Sequence, residues 1–405
     1  MRRLALLLSI AIIVAACGGG TTDRPVPTET AAPTATTTTV APTTTMVPTT
    51  TTTEPLADVG VFVTVADAPV GLEEAVTELY LAAAIPATAP RVAEGLVAHV
   101  SGSGSPGLGR ELTATVGTVP NGDVAVVTDG TDVVLAANAE DQWQVVGASL
   151  PSLGLEPWFG DSVRQLYVIG SDARPGENQL RFRADSHHII TIQPDGSAAS
   201  IVGIPRDAWV ETPEGTFEKY TDVMASNGPE RILGTAEILT GLDLEGYVVT
   251  GFKGFVNLVN EFGGFDLDIP FAMAEPKSDA YFSAGVQFVD GADALAFARN
   301  RTIDGGDFTR QFHHGLIMQW AMAAVQTRDI TELPGLLETL TTHTWTDLPP
   351  GDLLTFGALV WELSPFEVTN LVVEGDQARR NGQAVVVLRE SAFEVFRDLA
   401  DGPVS

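Results

Sequence analysis

Gln165-Leu166-Tyr167-Val168-Ile169 runs directly into Gly170-Ser171-Asp172-Ala173-Arg174. The first five residues read as a strand, and the glycine then opens a loop that carries an acid and a base. Working outward, His187–Ile192 and Ala199–Ile204 read as two more strands, joined by the turn residues Pro194-Asp195-Gly196. Asn227-Gly228-Pro229-Glu230 is a helix start, with proline in the first turn where its missing N–H costs nothing, and Gly241 is the matching stop. Further on come a strand at Gly246–Thr250, a helix at Phe252–Phe262 closed by Gly263-Gly264, and a strand at Phe265–Ile269. Asp290–Arg299 and His313–Gln326 read as helices. Strands alternating with helices in this way predict an α/β fold, a three-layer α/β/α domain over residues 158–400.

Upstream, residues 57–153 read as a small α+β accessory domain. It has a strand at Val59–Val65, a helix at Leu72–Ala84 and a meander of four short strands between Leu112 and Val146. Residues 17–56 are Thr-rich, punctuated by proline and almost uncharged, which predicts an extended linker with no core of its own. Residues 1–16 read as a signal peptide, with Arg2-Arg3 ahead of the apolar run Leu4–Ala16. That run ends in Val14-Ala15-Ala16-Cys17, which resembles a bacterial lipobox and predicts lipidation of Cys17. The expected location is therefore extracytoplasmic, on the outer face of the cell membrane, held there by a lipid anchor.

Charge narrows the function. Lys and Arg number 22 against 52 Asp and Glu, a formal charge of −30. Such a field repels nucleic-acid backbones, so no nucleic-acid partner is expected. Cys17 is the one cysteine, which excludes an internal disulfide and a CxxC zinc site. Neither a nucleophile-elbow serine motif nor a P-loop motif occurs.

Against this acidic background the arginines are informative. Arg174, Arg183, Arg206 and the pair Arg299/Arg301 each fall at or just beyond a strand or helix end, followed by Asp304, Asp307 and Arg310. Loops at element ends can converge on one pocket in an α/β sheet, and guanidinium forks grip phosphate oxygens bidentately. The set predicts a polyanion pocket. Asp172 and Asp185, each close to an arginine, suit a hard cation such as Mg²⁺, which takes one or two carboxylates plus phosphate oxygens. Ion pairs that cap the strands are the other reading of the same spacing. His187-His188 and His313-His314 are adjacent pairs that point apart, which disfavours one shared metal.

In order, these segments resemble the LytR–CpsA–Psr family: Val168–Arg174, Arg183-Ala184-Asp185-Ser186, Ser200–Asp207, Ala298–Arg301 and Asp304–Arg310. The resemblance implies an extracytoplasmic Mg²⁺-dependent phosphotransferase, with Mn²⁺ as a substitute. Its donor would be a polyprenyl-pyrophosphate-linked glycan, and its acceptor peptidoglycan or another wall glycan. By the same resemblance Asp172 and Asp185 hold the metal. Arg174, Arg183, Arg206, Lys219, Arg299, Arg301 and Arg310 hold the pyrophosphate, and Asp307 orients or deprotonates the attacking hydroxyl. The catalytic set is then Asp172, Asp307, Arg206, Arg299, Arg301 and Arg310. The apolar residues of 252–262 and 313–326 are candidates to line an isoprenoid trough.

Some positions depart from the family pattern. His313 stands where a second arginine is usual, which makes it a phosphate partner whose grip weakens between about pH 6 and 8. Asp222 replaces a neutral side chain, and His187-His188 replaces an aliphatic pair. Two other readings remain open at this point. One is a pyrophosphatase or phosphodiesterase on the same fold, and the other is a non-catalytic envelope lipoprotein that binds polyprenyl phosphates or glycans.

Overall fold

The computed structural model describes residues 61–404, apart from 86–87, 105–108, 301–303 and 365–366. The expected signal peptide, Cys17, the linker and Arg301 lie outside the described residues. Strands β1 (Val63–Ala66), β2 (Arg110–Val119), β3 (Gly122–Thr128), β4 (Val133–Ala139) and β5 (Gln142–Ser149) form one sheet in sequence order. β1 runs parallel to β2, and the rest is an antiparallel meander. Glu140 and Asp141 both have positive φ, 55° and 61°, which gives the tight turn that joins β4 to β5. Helices α1 (Leu72–Ala84) and α2 (Glu94–Val100) cover one face of this sheet.

The second sheet has six strands. It begins with β6 (Arg164–Ser171), β7 (Ala184–Ile192) and β8 (Ala199–Gly203). A hairpin of β9 (Trp209–Glu211) and β10 (Phe217–Lys219) leads to α3 (Tyr220–Asn227) and α4 (Pro229–Thr240). Then come β11 (Tyr247–Gly251), α5 (Phe252–Glu261) and the ribbon strands β12 (Phe265–Ile269), β13 (Met273–Glu275), β14 (Ala280–Phe282) and β15 (Gly285–Val289). The chain continues through α6 (Gly291–Arg299), α7 (Asp307–Val325), α8 (Leu333–His343), β16 (Trp345–Thr346) and α9 (Pro350–Glu362). It closes with β17 (Thr369–Val372), the hairpin β18 (Gly375–Arg380) and β19 (Gln383–Leu388), and α10 (Glu390–Asp401). The six-stranded order is β16-β11-β6-β7-β8-β17.

Alternation along β6 builds the layers. Tyr167 and Ile169 face a core shared with α3, α4 and α10. Leu166, with Val168 packed beside it, faces a core shared with α8 and α9. Three-layer α/β/α architecture follows directly from this two-sided burial. No described helix is long and apolar enough to cross a membrane.

The two sheets share helices α8 and α9. Val124-Ala125-Val126-Val127 of β3 is wholly buried. Ala125 and Val127 pack toward α1 and α2, while Val124 and Val126 pack toward α8 and α9. A strand covered on both faces reads as a continuous apolar run rather than an alternating one. At the contact between β2 and α8, a Cβ on Gly117 would stand 2.5 Å from the Pro334 carbonyl oxygen. Backbone cannot retreat as a flexible side chain can, so Gly117→Val should overpack this seam. We expect a stability loss of about 1–3 kcal/mol, read as a lower denaturant midpoint.

Several boundaries differ from the sequence expectation by one or two residues, and two beside the motifs differ by more. Helix α7 begins at Asp307, six residues before the expected His313, because its first turn has no side-chain cap to announce it. Its N-cap is Gly306 at φ 59°. Strand β7 begins at Ala184 rather than His187, paired to β6 through a register shift between Gly170 and Ser171.

Candidate active site

Chain direction decides which loops meet. β6 and β11 are parallel and β7 is antiparallel between β6 and β8. Ser171, Ala184, Gly203 and Gly251 therefore lie at one end of the sheet. The backbone N–H of Asp172 donates to the Arg183 carbonyl at 2.8 Å and ties two of those loops together.

A small polar pocket of about 250 Å³ opens at this end. Asp172, Arg183, Asp185, Arg206, Asp207, Lys219, Thr221 and Asp222 line it. Arg206 Nη1 donates to Asp185 Oδ2 at 2.5 Å, and Thr221 Oγ1 donates to Asp185 Oδ1 at 3.2 Å. Lys219 Nζ lies 2.5 Å from Asp207 Oδ1, and Arg183 Nε lies 3.0 Å from Asp222 Oδ1. The Asp222 departure thus has a local partner in Arg183. Burial alone would raise the Asp185 carboxyl. The adjacent Arg206 charge and hydrogen bond, with help from Arg310 and Thr221, outweigh it and hold Asp185 below the usual carboxylate range. Asp185 is therefore ionised at neutral pH.

A second, larger cavity of about 1020 Å³ meets the first at Asp172 and Asp185, which line both. Arg174, Ser186, Arg299, Arg310 and His314 also line it. Glu275, Lys277, Ser278 and Arg328 line it too, and most of the remaining wall is apolar, contributed by the sheet face and by α5, α7, α8 and α9, with Phe255, Phe262, Ile317, Met318, Leu337 and Phe356 among its residues. Of the expected trough residues, Phe252, Phe255, Leu258, Val259, Phe262, Ile317, Met318 and Ala321 line this cavity. Val256, Leu316 and Trp320 do not. The Arg299 guanidinium sits over the Phe252 ring, 4.9 Å from its centroid.

The structure brings Asp172, Asp185, Arg174, Arg183, Arg206, Lys219, Arg299 and Arg310 to the walls of these two joined cavities. It places two expected residues elsewhere. Asp307 lines neither cavity. Its Oδ2 accepts the Arg206 backbone N–H at 3.0 Å, its Oδ1 accepts from Arg310 Nη2, and Arg206 Nε lies 3.8 Å away. This carboxylate is held by the Arg310 guanidinium and the Arg206 backbone, with the Arg206 side chain at ion-pair distance. His313 is buried against Phe297, with ring centroids 4.5 Å apart, and 5.8 Å from Phe271. Desolvation lowers its pKa to about 4, so it is neutral and cannot supply the expected phosphate contact titrating between pH 6 and 8.

Helical geometry explains the His313 difference. On α7, Asp307, Arg310, Gln311 and His314 follow i, i+3, i+4 and i+7 spacing and share one face. His313 is turned away by about 100° from His314. Starting the helix at Gly306 would have revealed Gln311 and His314 in the sequence. Gln311 Nε2 donates to the Asp185 carbonyl at 3.0 Å. His314 contacts the Ser186 hydroxyl and the Ala298 carbonyl, both at 2.9 Å. His188 contacts the same hydroxyl at 3.1 Å and the Gln311 carbonyl at 2.9 Å. His187 bridges the Tyr167 hydroxyl at 2.7 Å and the Ala184 carbonyl at 3.0 Å. The His187-His188 departure is therefore a buried polar brace that fixes the backbone on either side of Asp185.

The sequence profile of the LytR_cpsA_psr family matches residues 160–400, more than half of the chain. The chain belongs to the LytR–CpsA–Psr family. One similar curated protein is TagV of Bacillus subtilis (strain 168), a polyisoprenyl-teichoic acid–peptidoglycan teichoic acid transferase. It is 35% identical over 138 residues, covering 32% of this chain and 35% of TagV. Another is LcpB of Corynebacterium glutamicum, a probable cell wall biosynthesis protein, 30% identical over 155 residues. That match covers 35% of this chain and 37% of LcpB. The chain thus spans little more than a third of the length of these two relatives. Among solved structures, B. subtilis TagV superimposes with a TM-score of 0.52 at 22% identity, covering 60% of this chain and 97% of TagV. This likeness shows the LytR–CpsA–Psr fold for the region around the six-stranded sheet.

Proposed function

We propose that this LytR–CpsA–Psr protein transfers a glycopolymer from a polyprenyl-pyrophosphate carrier to a cell-wall glycan outside the cytoplasm, forming a phosphodiester. One observation carries this reading. An arginine- and aspartate-lined polar pocket opens, at Asp172 and Asp185, into an apolar cavity about four times its volume. A ligand with a short polyanionic head and a long hydrocarbon tail matches both compartments at once. The activity of the relative TagV, a polyisoprenyl-teichoic acid–peptidoglycan teichoic acid transferase, supports the same substrate class.

In this reading an acceptor hydroxyl oxygen attacks the phosphorus on the glycan side of the pyrophosphate. The P–O bond to the carrier breaks, polyprenyl phosphate leaves, and the hydroxyl proton passes to solvent or to the leaving phosphate. Such displacements need positioning and charge stabilisation more than covalent help. Arg174, Arg206, Arg299 and Arg310 supply fixed positive charge, and Asp307 keeps Arg206 and Arg310 aimed. Asp172 and Asp185 would hold Mg²⁺, since two carboxylates on one polar wall, one held ionised, fit the few protein ligands this cation takes. When bound, the ion would neutralise charge on the phosphate oxygens.

Incubating the purified chain with a lipid-linked glycan donor, Mg²⁺ and peptidoglycan tests the reading. The expected products are polyprenyl phosphate and a glycan joined to peptidoglycan by a phosphodiester. Release of free glycan phosphate, with none joined to the wall, would instead support a hydrolase. The tail cavity gives a separate expectation. Met318→Trp narrows the cavity without touching the polar pocket, so affinity for a long-chain donor should fall by tenfold or more, about 1.4 kcal/mol. Affinity for a soluble short-chain pyrophosphate should not change, and equal losses for both would refute the assignment of the tail.

A further inference from the structure

Most described arginines are neutralised by a carboxylate at ion-pair distance. Among the described residues, Arg174, Arg181, Arg299, Arg379 and Arg380 have none. Arg174 and Arg299 line the apolar cavity beside the acids. Arg181 donates to the Ser226 carbonyl at 3.0 Å. The remaining two stand together near the tip of the β18–β19 hairpin, both exposed, and Arg380 Nη1 donates only to the Arg379 carbonyl, at 3.2 Å. Arg389, at the base of the same hairpin, is by contrast paired with Glu374 and Asp376. In a chain of net charge −30, two consecutive arginines without a carboxylate partner, one on each face of the ribbon, form a local reversal of sign.

Register places that reversal beside the polar pocket. β17 is parallel to β8, with Val372 opposite Gly203, so the chain leaves β17 at the pocket end of the sheet and enters β18 there. β19 is pinned to the pocket wall. The Val386 N–H donates to the Asp207 carbonyl at 2.7 Å, and Val386 forms a parallel bridge with Ala208. Val386 pairs with Gln377 on β18, and two residues nearer the tip Ala384 pairs with Arg379. Two strand spacings, on the order of 10 Å, therefore separate the Gln377 backbone from that of Ala208, beside the pocket residue Asp207, and Arg379 is two residues along the strand from Gln377. The turn is stiff, because Asn381 and Gly382 both lie in the left-handed region, at φ 50° and 79°, as a two-residue hairpin turn requires.

We propose that the β18–β19 hairpin is a binding arm for an anionic glycan, held by Arg379 and Arg380 as it passes the polar pocket. The inference rests on the transferase reading. The shared chemistry is a phosphate or carboxylate carried on a sugar chain, which guanidinium binds bidentately. Such a chain has two sources, the polymer on the donor and the wall strand that accepts it.

The test measures binding of two probes to the full chain and to Arg379→Gln/Arg380→Gln, at low and high salt. The probes are a glycerol-phosphate oligomer and soluble uncrosslinked peptidoglycan strands. The double variant should lose tenfold or more in affinity for one probe and show a shallower salt dependence. Arg379→Lys/Arg380→Lys should restore part of the loss. Loss for the oligomer assigns the arm to the donor polymer, and loss for the strands assigns it to the acceptor. Unchanged affinity for both probes, or no binding of either by wild type, overturns the proposal. Hydrolysis of a polyprenyl pyrophosphate that carries a single sugar should be the same in wild type and the double variant, since that donor does not reach the arm. Absence of any pyrophosphate turnover in wild type would instead count against the transferase reading, whatever the glycan binding shows.

Discussion

Arg206→Ala should lower turnover of the pyrophosphate donor by roughly 10²–10³-fold. Arg206 hydrogen-bonds two acids, Asp185 through its guanidinium and Asp307 through its backbone N–H. The guanidinium also lines the pocket where the polyanion would sit. Removing it takes away fixed positive charge and leaves Asp185, which Arg206 helps keep ionised, facing the donor phosphates without its neutralising partner. Arg206→Lys keeps the charge and loses the planar fork, so it should recover only part of the loss. Donor turnover and thermal unfolding measured on both variants decide the matter. Near wild-type turnover in a folded Arg206→Ala protein would remove Arg206 from the mechanism. A variant that loses activity and unfolds together would leave Arg206→Lys as the deciding comparison.

The second large effect is on stability in mild acid. Burial lowers the His187 pKa to about 3 and those of His188 and His313 to about 4, and His314 is also held well below its ordinary value. In the unfolded chain each histidine takes up a proton near pH 6.5. The unfolded state therefore binds more protons than the folded state below that pH, and stability falls as pH falls. These groups contribute fully above about pH 6.5, and the contribution drains away toward pH 4. At pH 5 the linkage amounts to about 2 kcal/mol for a histidine whose folded pKa is 4. Four such groups give a loss of several kcal/mol, a large part of an ordinary domain's stability. Asp185 acts in a lower window, since a depressed carboxyl loses its contribution only as pH falls below about 4. Denaturant unfolding at pH 7 and pH 5 should therefore show a clear fall. His313→Leu offers an internal check, because neither ring nitrogen of His313 has a hydrogen-bond partner among the described residues. That variant should match or exceed wild-type stability at pH 7 and show a shallower loss by about one proton. Equal stability at both pH values would overturn the account.

Local chemistry made much of this protein legible in its sequence. Pro229 and Gly241 bound α4 as their backbone preferences dictate, and Leu72–Ala84 forms the helix its spacing predicts. The alternation of strands and helices predicted the α/β/α layers, and the order of the motifs from Asp172 to Arg310 pointed to the family. A strand's direction and a glycine's freedom are short-range properties, so a linear reading captures them. Tertiary structure alone decided which side chains meet. Asp307 and His313 are six residues apart on one helix, and their sequence context suggested phosphate chemistry for both. The helix begins six residues before His313, at Asp307, and no side chain caps it. That phase turns Asp307 toward Arg206 and Arg310 and His313 toward Phe297. The Arg206–Asp185 pair, the His187-His188 brace and the junction of the two cavities at Asp172 and Asp185 likewise depend on strand register and helix packing. Those arise from contacts between residues far apart in the chain, 128 positions in the Ser186–His314 bond, and no local pattern encodes them.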